Sequence, residues 1–156
     1  FLFNRSGCRT KDHLSDYLVE VPEVRFTQAE LDDLAARYTA AWNSKVPENV
    51  AAFHTSSSQI IINRGEPSVG HAGLTEMAAG FHAAVPDLHL TCDGIRGAGD
   101  HVVYLWTFTG HDATTGNPLR IVGWEDWEMD SDLKVTSALG WFDAEEYQRQ
   151  IDGSLA

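Results

Sequence analysis

The sequence predicts one α+β domain, with helices covering one face of a curved, mostly antiparallel sheet. Three observations predict it. Helical periodicity opens the patterned part of the chain, four strand-like runs separated by turn signals fill most of its second half, and no repeat or linker divides it. Helices followed by a strand meander segregate to one side of the sheet. The length of 156 residues suits a single domain.

Residues 1–26 carry mixed charge and no clear period, and are read as an N-terminal extension to a domain over 27–153. Thr27 and Glu30 form a capping box: the threonine side chain accepts from the third amide and the glutamate reaches back. Leu31, Leu34, Ala35, Tyr38, Ala41 and Trp42 then fall on one helical stripe, to about Asn43. Pro47 suits a first helical position and starts a short helix over 47–53. The β-branched run 59–63 reads as a strand, and Gly65, Pro67 and Gly70 frame a short extended piece. A third helix covers 72–85 and ends at Pro86.

The next four segments, 88–96, 101–111, 119–129 and 134–142, read as strands joined by turns at 97–100, 114–117 and 130–132. Asp143 with Glu146 caps a last short helix ending near Ile151. Such a sheet curls around its helices and leaves a cone whose open end is a natural pocket.

With 43% hydrophobic residues the chain can build a core, and its five Trp, four Tyr and seven Phe supply large apolar surfaces. The formal charge of −12 argues against nucleic-acid binding and against docking on an anionic membrane. No run approaches the ~20 apolar residues of a membrane span. The opening Phe1–Arg5 is too short for a signal-peptide core. Cys8 and Cys92 make no disulfide framework, so a cytoplasmic location is expected. His54, His71, His82 and His89 lack metal-ligand spacing, and residues 94–99 precede no helix, so neither a metal nor a cofactor is expected.

Several motifs together carry a family likeness. Tyr38-Thr39-Ala40-Ala41-Trp42-Asn43 with Pro47 resembles the first helix and exit of SnoaL-like polyketide cyclases, within the nuclear-transport-factor-2-like superfamily. Val85-Pro86-Asp87-Leu88 resembles that family's lead into its long strands. Gly99-Asp100-His101-Val102-Val103, Trp106-Thr107-Phe108-Thr109-Gly110 and Gly123 to Trp127 resemble its strand motifs. Asp143 with Tyr147-Gln148-Arg149-Gln150-Ile151 resembles its closing segment. The likeness spans residues 30–151 and rests on the order and spacing of the motifs. It implies the cone-shaped nuclear-transport-factor-2-like, cystatin-like fold. The superfamily holds cyclases, a ketosteroid isomerase, an epoxide hydrolase and members without catalysis, so the fold alone does not give function.

The third strand of the meander holds the candidate chemistry. Side chains alternate faces, and the set Leu119, Ile121, Gly123, Glu125, Trp127, Met129 is the more apolar one. Glu125 therefore faces inward, and the family's carboxylate spacing selects it too. Counting back from the fourth strand selects Asp126, which stays open as the alternative. A carboxyl in apolar surroundings has its charged form disfavoured, which suits proton transfer near neutrality. Arg96 or Arg120 as a neutralising partner is the structural reading of the same acid.

The resemblance implies a histidine near the end of the second meander strand, where this chain has Asp112 with His111 beside it. His111 is kept as a rim candidate. Tyr104, Trp106 and Phe108 make one face of that strand a candidate pocket wall. Tyr38, Trp42, Asn63, Trp127 and Trp141 complete the candidate substrate-binding set. The opposite face, Val103, Leu105, Thr107 and Thr109, is apolar enough to be covered, and the resemblance implies a homodimer through it. Two functions follow as expectations. One is an acid/base enzyme of isomerase, cyclase or epoxide-hydrolase type acting on a small apolar molecule. The other is a non-catalytic binding or dimerisation module of the same fold.

Overall fold

The computed structural model describes residues 25–154. Most of the extension expected over 1–26, with Cys8, lies outside the described residues. At its end, Arg25 pairs with Asp100 and Phe26 packs into the core.

The first helix, α1 (Gln28–Asn43), starts at the capping box: the Thr27 side chain accepts from Glu30 N–H, and the Glu30 carboxylate accepts from Thr27 N–H. Its buried residues are the six of the stripe read from the sequence. Pro47 opens the short helix α2 (Pro47–Ala51). Then come β1 (Gln59–Ile62), the two-residue β2 (Ser68–Val69) and α3 (Gly70–Ala84). The meander follows as β3 (His89–Ala98), β4 (His101–His111), β5 (Pro118–Met129) and β6 (Val135–Phe142). The last helix is α4 (Ala144–Ile151), whose Asp143 cap accepts from Glu146 N–H.

The sheet has six strands in the order β2-β1-β6-β5-β4-β3. Its pairs are antiparallel except β1 with β6, which run parallel with Ile60 opposite Ala138 and Ile62 opposite Gly140. Register shifts between Cys92 and Gly94 and between Glu128 and Met129 mark bulges. Bulges bend a strand and add twist, which helps the sheet curve around α1. Helix α1 packs on β3, α2 on α3, and α4 on β5.

The core lies between α1 and the inner face. Along β5, Leu119, Ile121, Glu125, Trp127 and Met129 are buried, while Arg120, Val122, Trp124 and Glu128 are exposed. The outer face carries Leu105, Val122, Trp124, Leu139 and Trp141 as exposed large apolar residues. No helix among the described residues is long and apolar enough to cross a membrane.

Candidate functional site

The inner face bears one acid, Glu125, and it is 7% exposed. Its Oε2 accepts from the Tyr38 hydroxyl at 2.9 Å and from the Trp127 indole N–H at 2.7 Å. Its Oε1 has a longer contact, 3.2 Å, with the same hydroxyl. Tyr38 comes from α1, and Trp127 stands two residues along β5 on the same face. Both rings are fixed by neighbours: Tyr104 stacks on Trp127 at 5.3 Å, and Tyr38 meets Tyr104 edge-on at 5.2 Å.

Burial pushes the Glu125 carboxyl above its ordinary value, and the two donors partly offset this by favouring the carboxylate. Burial, then the facing carboxylate, push the Tyr38 phenol well up, so it stays a proton donor in the hydrogen bond. Among the described residues no cation balances the acid. Arg96 bonds the Ile95 carbonyl, and Arg120 is exposed on the other face of β5.

Glu125 borders a narrow apolar cavity with about 40 Å³ of accessible volume. Trp42 of α1, Trp106 and Phe108 of β4, Phe81 of α3 and Phe142 of β6 provide aromatic walls, and Glu125 is the one ionisable lining residue among those described. Trp106 stacks on Phe108 at 5.8 Å. Its ring lies over Gly123, the cross-strand partner of Trp106, where a Cβ would sit 2.3 Å from Cζ2. Gly140, opposite Glu125 in the β5–β6 pair, borders the same cavity. The indole N–H groups of Trp42 and Trp106 are buried without a hydrogen-bond partner among the described residues. Leaving a buried donor unsatisfied costs about 1–3 kcal/mol.

The candidates read from the sequence divide into groups. Trp42, Trp106, Phe108 and Glu125 line the cavity. Tyr38, Tyr104 and Trp127 stand behind Glu125 and hold it. Asp126 lies on the outer face against His101, because neighbours on a strand point to opposite faces. His111 is exposed and bonded to Asp87 through both its backbone N–H and its Nδ1, at 2.7 and 2.6 Å. That contact lowers the Asp87 carboxyl and ties the histidine away from Glu125. Asn63 is a turn residue: its φ is 50°, and its Oδ1 accepts from Phe142 N–H at 3.0 Å. Trp141 borders the cavity but stands with Leu139 on the outer face, 44% exposed.

The sequence reading placed Phe81 on the inner face of the third helix, but neither it nor Gly140 and Phe142 among the site residues. The inner positions of β6 are Ala138, Gly140 and Phe142, and Leu139 and Trp141 stand on the outer face, so apolar bulk does not separate the two faces.

A family model described as SnoaL-like domain matches residues 35–138, more than half of the chain. The chain belongs to the SnoaL-like domain family. Solved structures agree on the fold. A Catenulispora acidiphila protein of ketosteroid isomerase-like fold, in complex with trimethylamine, is 17% identical with a TM-score of 0.71 over 77% of this chain and 92% of its own. A Jannaschia protein described as a SnoaL-like polyketide cyclase is 14% identical with a TM-score of 0.71, covering 82% of this chain and 95% of its own. TsrD from Streptomyces laurentii is 20% identical with a TM-score of 0.71, covering 83% and 99%. No curated protein matches this SnoaL-like chain in sequence.

Proposed function

We propose that this SnoaL-like domain is an acid/base enzyme in which Glu125 moves a proton on a small, mostly apolar carbonyl compound. The observation that carries the reading is an acid without a cationic partner among the described residues, fixed by a phenol and an indole at the wall of an apolar cavity. Oε2 takes the two shorter hydrogen bonds, which leaves Oε1 as the oxygen for proton transfer.

In that role the carboxylate removes a proton from the carbon next to a carbonyl. The C–H electron pair moves through the carbonyl carbon to oxygen, giving an enolate. Return of the proton to another carbon is an isomerisation; attack of the enolate on a second carbonyl is an aldol cyclisation. Epoxide hydrolysis is less well served, because the described lining holds a single ionisable group to activate water and protonate the opening ring. The alternative of a non-catalytic module is less well supported, because Glu125 has no cationic partner among the described residues.

Exchange of solvent deuterium into β-tetralone, an enolisable bicyclic ketone, tests the reading. The protein should accelerate exchange, and Glu125→Gln should lower the rate on the order of 10²–10⁴-fold while circular dichroism stays unchanged. An unchanged rate in Glu125→Gln refutes the assignment.

The proposal extends to assembly and location. A second copy covers the outer sheet face, where five large apolar residues are exposed. The cytoplasm is the compartment, a reading supported by a sequence whose two cysteines make no disulfide framework.

A further inference from the structure

The cavity beside Glu125, at about 40 Å³, has room for a few waters and not for a bicyclic ketone. A wall has to move before such a ketone reaches the acid, and the walls are not equally fixed. Trp106, Phe108 and Glu125 stand on strands paired on both sides, and Trp42 is buried within α1. Phe81 of α3 is half-buried. It meets Trp42 edge-on at 6.1 Å and Phe142 edge-on at 6.2 Å, so one ring bridges two walls of the cavity.

The two halves of α3 are fastened differently. In the first half Leu74 and Ala78 are buried, and a Cβ at Gly73 would meet the Ser68 backbone at 3.2 Å. There the His71 Nε2–H donates to the His54 carbonyl at 2.7 Å. The end of the helix is fixed again, by buried Val85 and by the Ala84 carbonyl, which accepts from Ala113 N–H at 2.8 Å. Between Ala78 and Val85 every residue is half-buried or exposed. Gly80 lies in that stretch, and a Cβ there would meet no atom within 4 Å, so packing does not call for a glycine. An interior glycine weakens a helix about fivefold relative to alanine. Among the described residues, one side-chain hydrogen bond ties the stretch to α1. The His82 Nε2–H donates to the Trp42 carbonyl at 3.0 Å, while Nδ1 has no partner.

We propose that the Gly80 turn of α3 is the entry gate of the cavity. It unwinds locally, carries Phe81 out from between Trp42 and Phe142, and recloses as His82 rejoins the Trp42 carbonyl. This deepens the acid/base reading of Glu125, on which it rests. Gly80 makes the turn easy to open, and His82 holds it shut. Because the gate is closed in both the empty and the occupied protein, it governs how fast a ligand enters and leaves, not how tightly it is held.

Hydrogen exchange in the free protein tests the opening. Amides of residues 80–84 should exchange faster than those of β4, at a rate that low urea leaves unchanged, the mark of a local opening. Exchange of these amides only together with those of β4 overturns the gate. Stopped-flow binding of β-tetralone, read by tryptophan fluorescence, tests the passage. Gly80→Ala should slow association and dissociation alike, about fivefold. His82→Phe removes the donor and keeps a ring against Trp42, which the imidazole meets edge-on at 5.5 Å. The Trp42 carbonyl still has the Lys45 N–H at 3.3 Å. That variant should speed both rates about fivefold. In both variants Kd should stay within about twofold.

Unchanged rates overturn the proposal, and so does a change confined to one of the two rates or a lack of saturable β-tetralone binding. If Glu125→Gln abolishes ketone exchange while the rates ignore both gate variants, the gate alone fails. If the gate variants move the rates as stated while exchange ignores Glu125→Gln, the acid/base reading fails and the gate stands.

Discussion

Glu125 and His54 are both ionisable groups kept from water, and they make stability respond to pH in opposite directions. Burial raises the Glu125 carboxyl from its ordinary 4.5. The folded chain then keeps a proton that the unfolded chain has released. The contribution of this group is fully present below 4.5 and is lost as pH rises through the raised folded value. Replacing Glu125 by Gln should therefore stabilise the fold more at about pH 8 than at about pH 5, as read by urea unfolding. His54 behaves in reverse. It is 2% exposed, its Nδ1 lies 3.0 Å from Ser58 Oγ, and burial, then the nearby His71, lowers it from 6.5 to about 4. Its stabilisation is present above 6.5 and is lost as pH falls through about 4, on the order of 3 kcal/mol. In His54→Asn the acid-side loss of stability between about pH 6.5 and pH 4 should shrink by that order. The same slope in the variant would place the acid sensitivity elsewhere. For Tyr38→Phe, the loss of one donor to the carboxylate should raise the Glu125 value further. The pH at which ketone exchange reaches half its plateau would then move up.

At the scale of the strand, β5 works because a glycine stands opposite each of two inner side chains: Gly123 opposite Trp106, and Gly140 opposite Glu125. Gly123 accommodates the Trp106 ring, and a Cβ there would also lie 2.5 Å from the Trp141 carbonyl oxygen, which is backbone and cannot swing away. Gly123→Ala should cost about 1–3 kcal/mol by overpacking, measured by urea unfolding, and should displace the indole. Gly140→Ala differs: its Cβ would meet Ile62 Cγ1 at 3.3 Å, so stability should change by less than about 1 kcal/mol while ligand affinity falls. The element boundaries were legible because helix stripes and turn residues are local signals. The face of Glu125 was legible for a related reason, since a strand alternates with period two and β5 has a clear apolar set. The rest depends on register between distant segments. Tyr38 meets Glu125 across 87 positions of sequence. The parallel pairing of β1 with β6 has no local signature either. Strand β6 carries no clear signal: its inner face is Ala138, Gly140 and Phe142, while Leu139 and Trp141 are the exposed residues, so bulk does not tell the sides apart. Asn63 offered a polar group beside a strand, and its positive φ shows it serving a turn instead.

For the molecule as a whole, the proposed self-pairing sets a second copy on the outer sheet face. Leu105, Val122, Trp124, Leu139 and Trp141 come from three adjacent strands, and Trp124 is the register partner of both Leu105 and Trp141. Four long strands at ~4.8 Å spacing and ~3.3 Å per residue offer roughly 600 Å² of flat surface before side-chain relief. That approaches the ~800 Å² per partner of a standard interface. A two-fold axis sets the same patch against itself, which suits an apolar centre and would be unfavourable for a like-charged one. With a net charge of −12, two copies repel over most of their surface, so an apolar face is the natural place for self-association. Sedimentation velocity at tens of micromolar should show a dimer. Leu139→Asp, which puts a carboxylate opposite itself or its neighbours in the paired face, should shift the equilibrium to monomer by more than about tenfold in Kd. Glu125-dependent ketone exchange should survive in that monomer, because Glu125 and the cavity lie on the other side of the sheet. A wild-type monomer at that concentration would refute the self-pairing, and loss of exchange on dissociation would mean that the second copy supports the cavity.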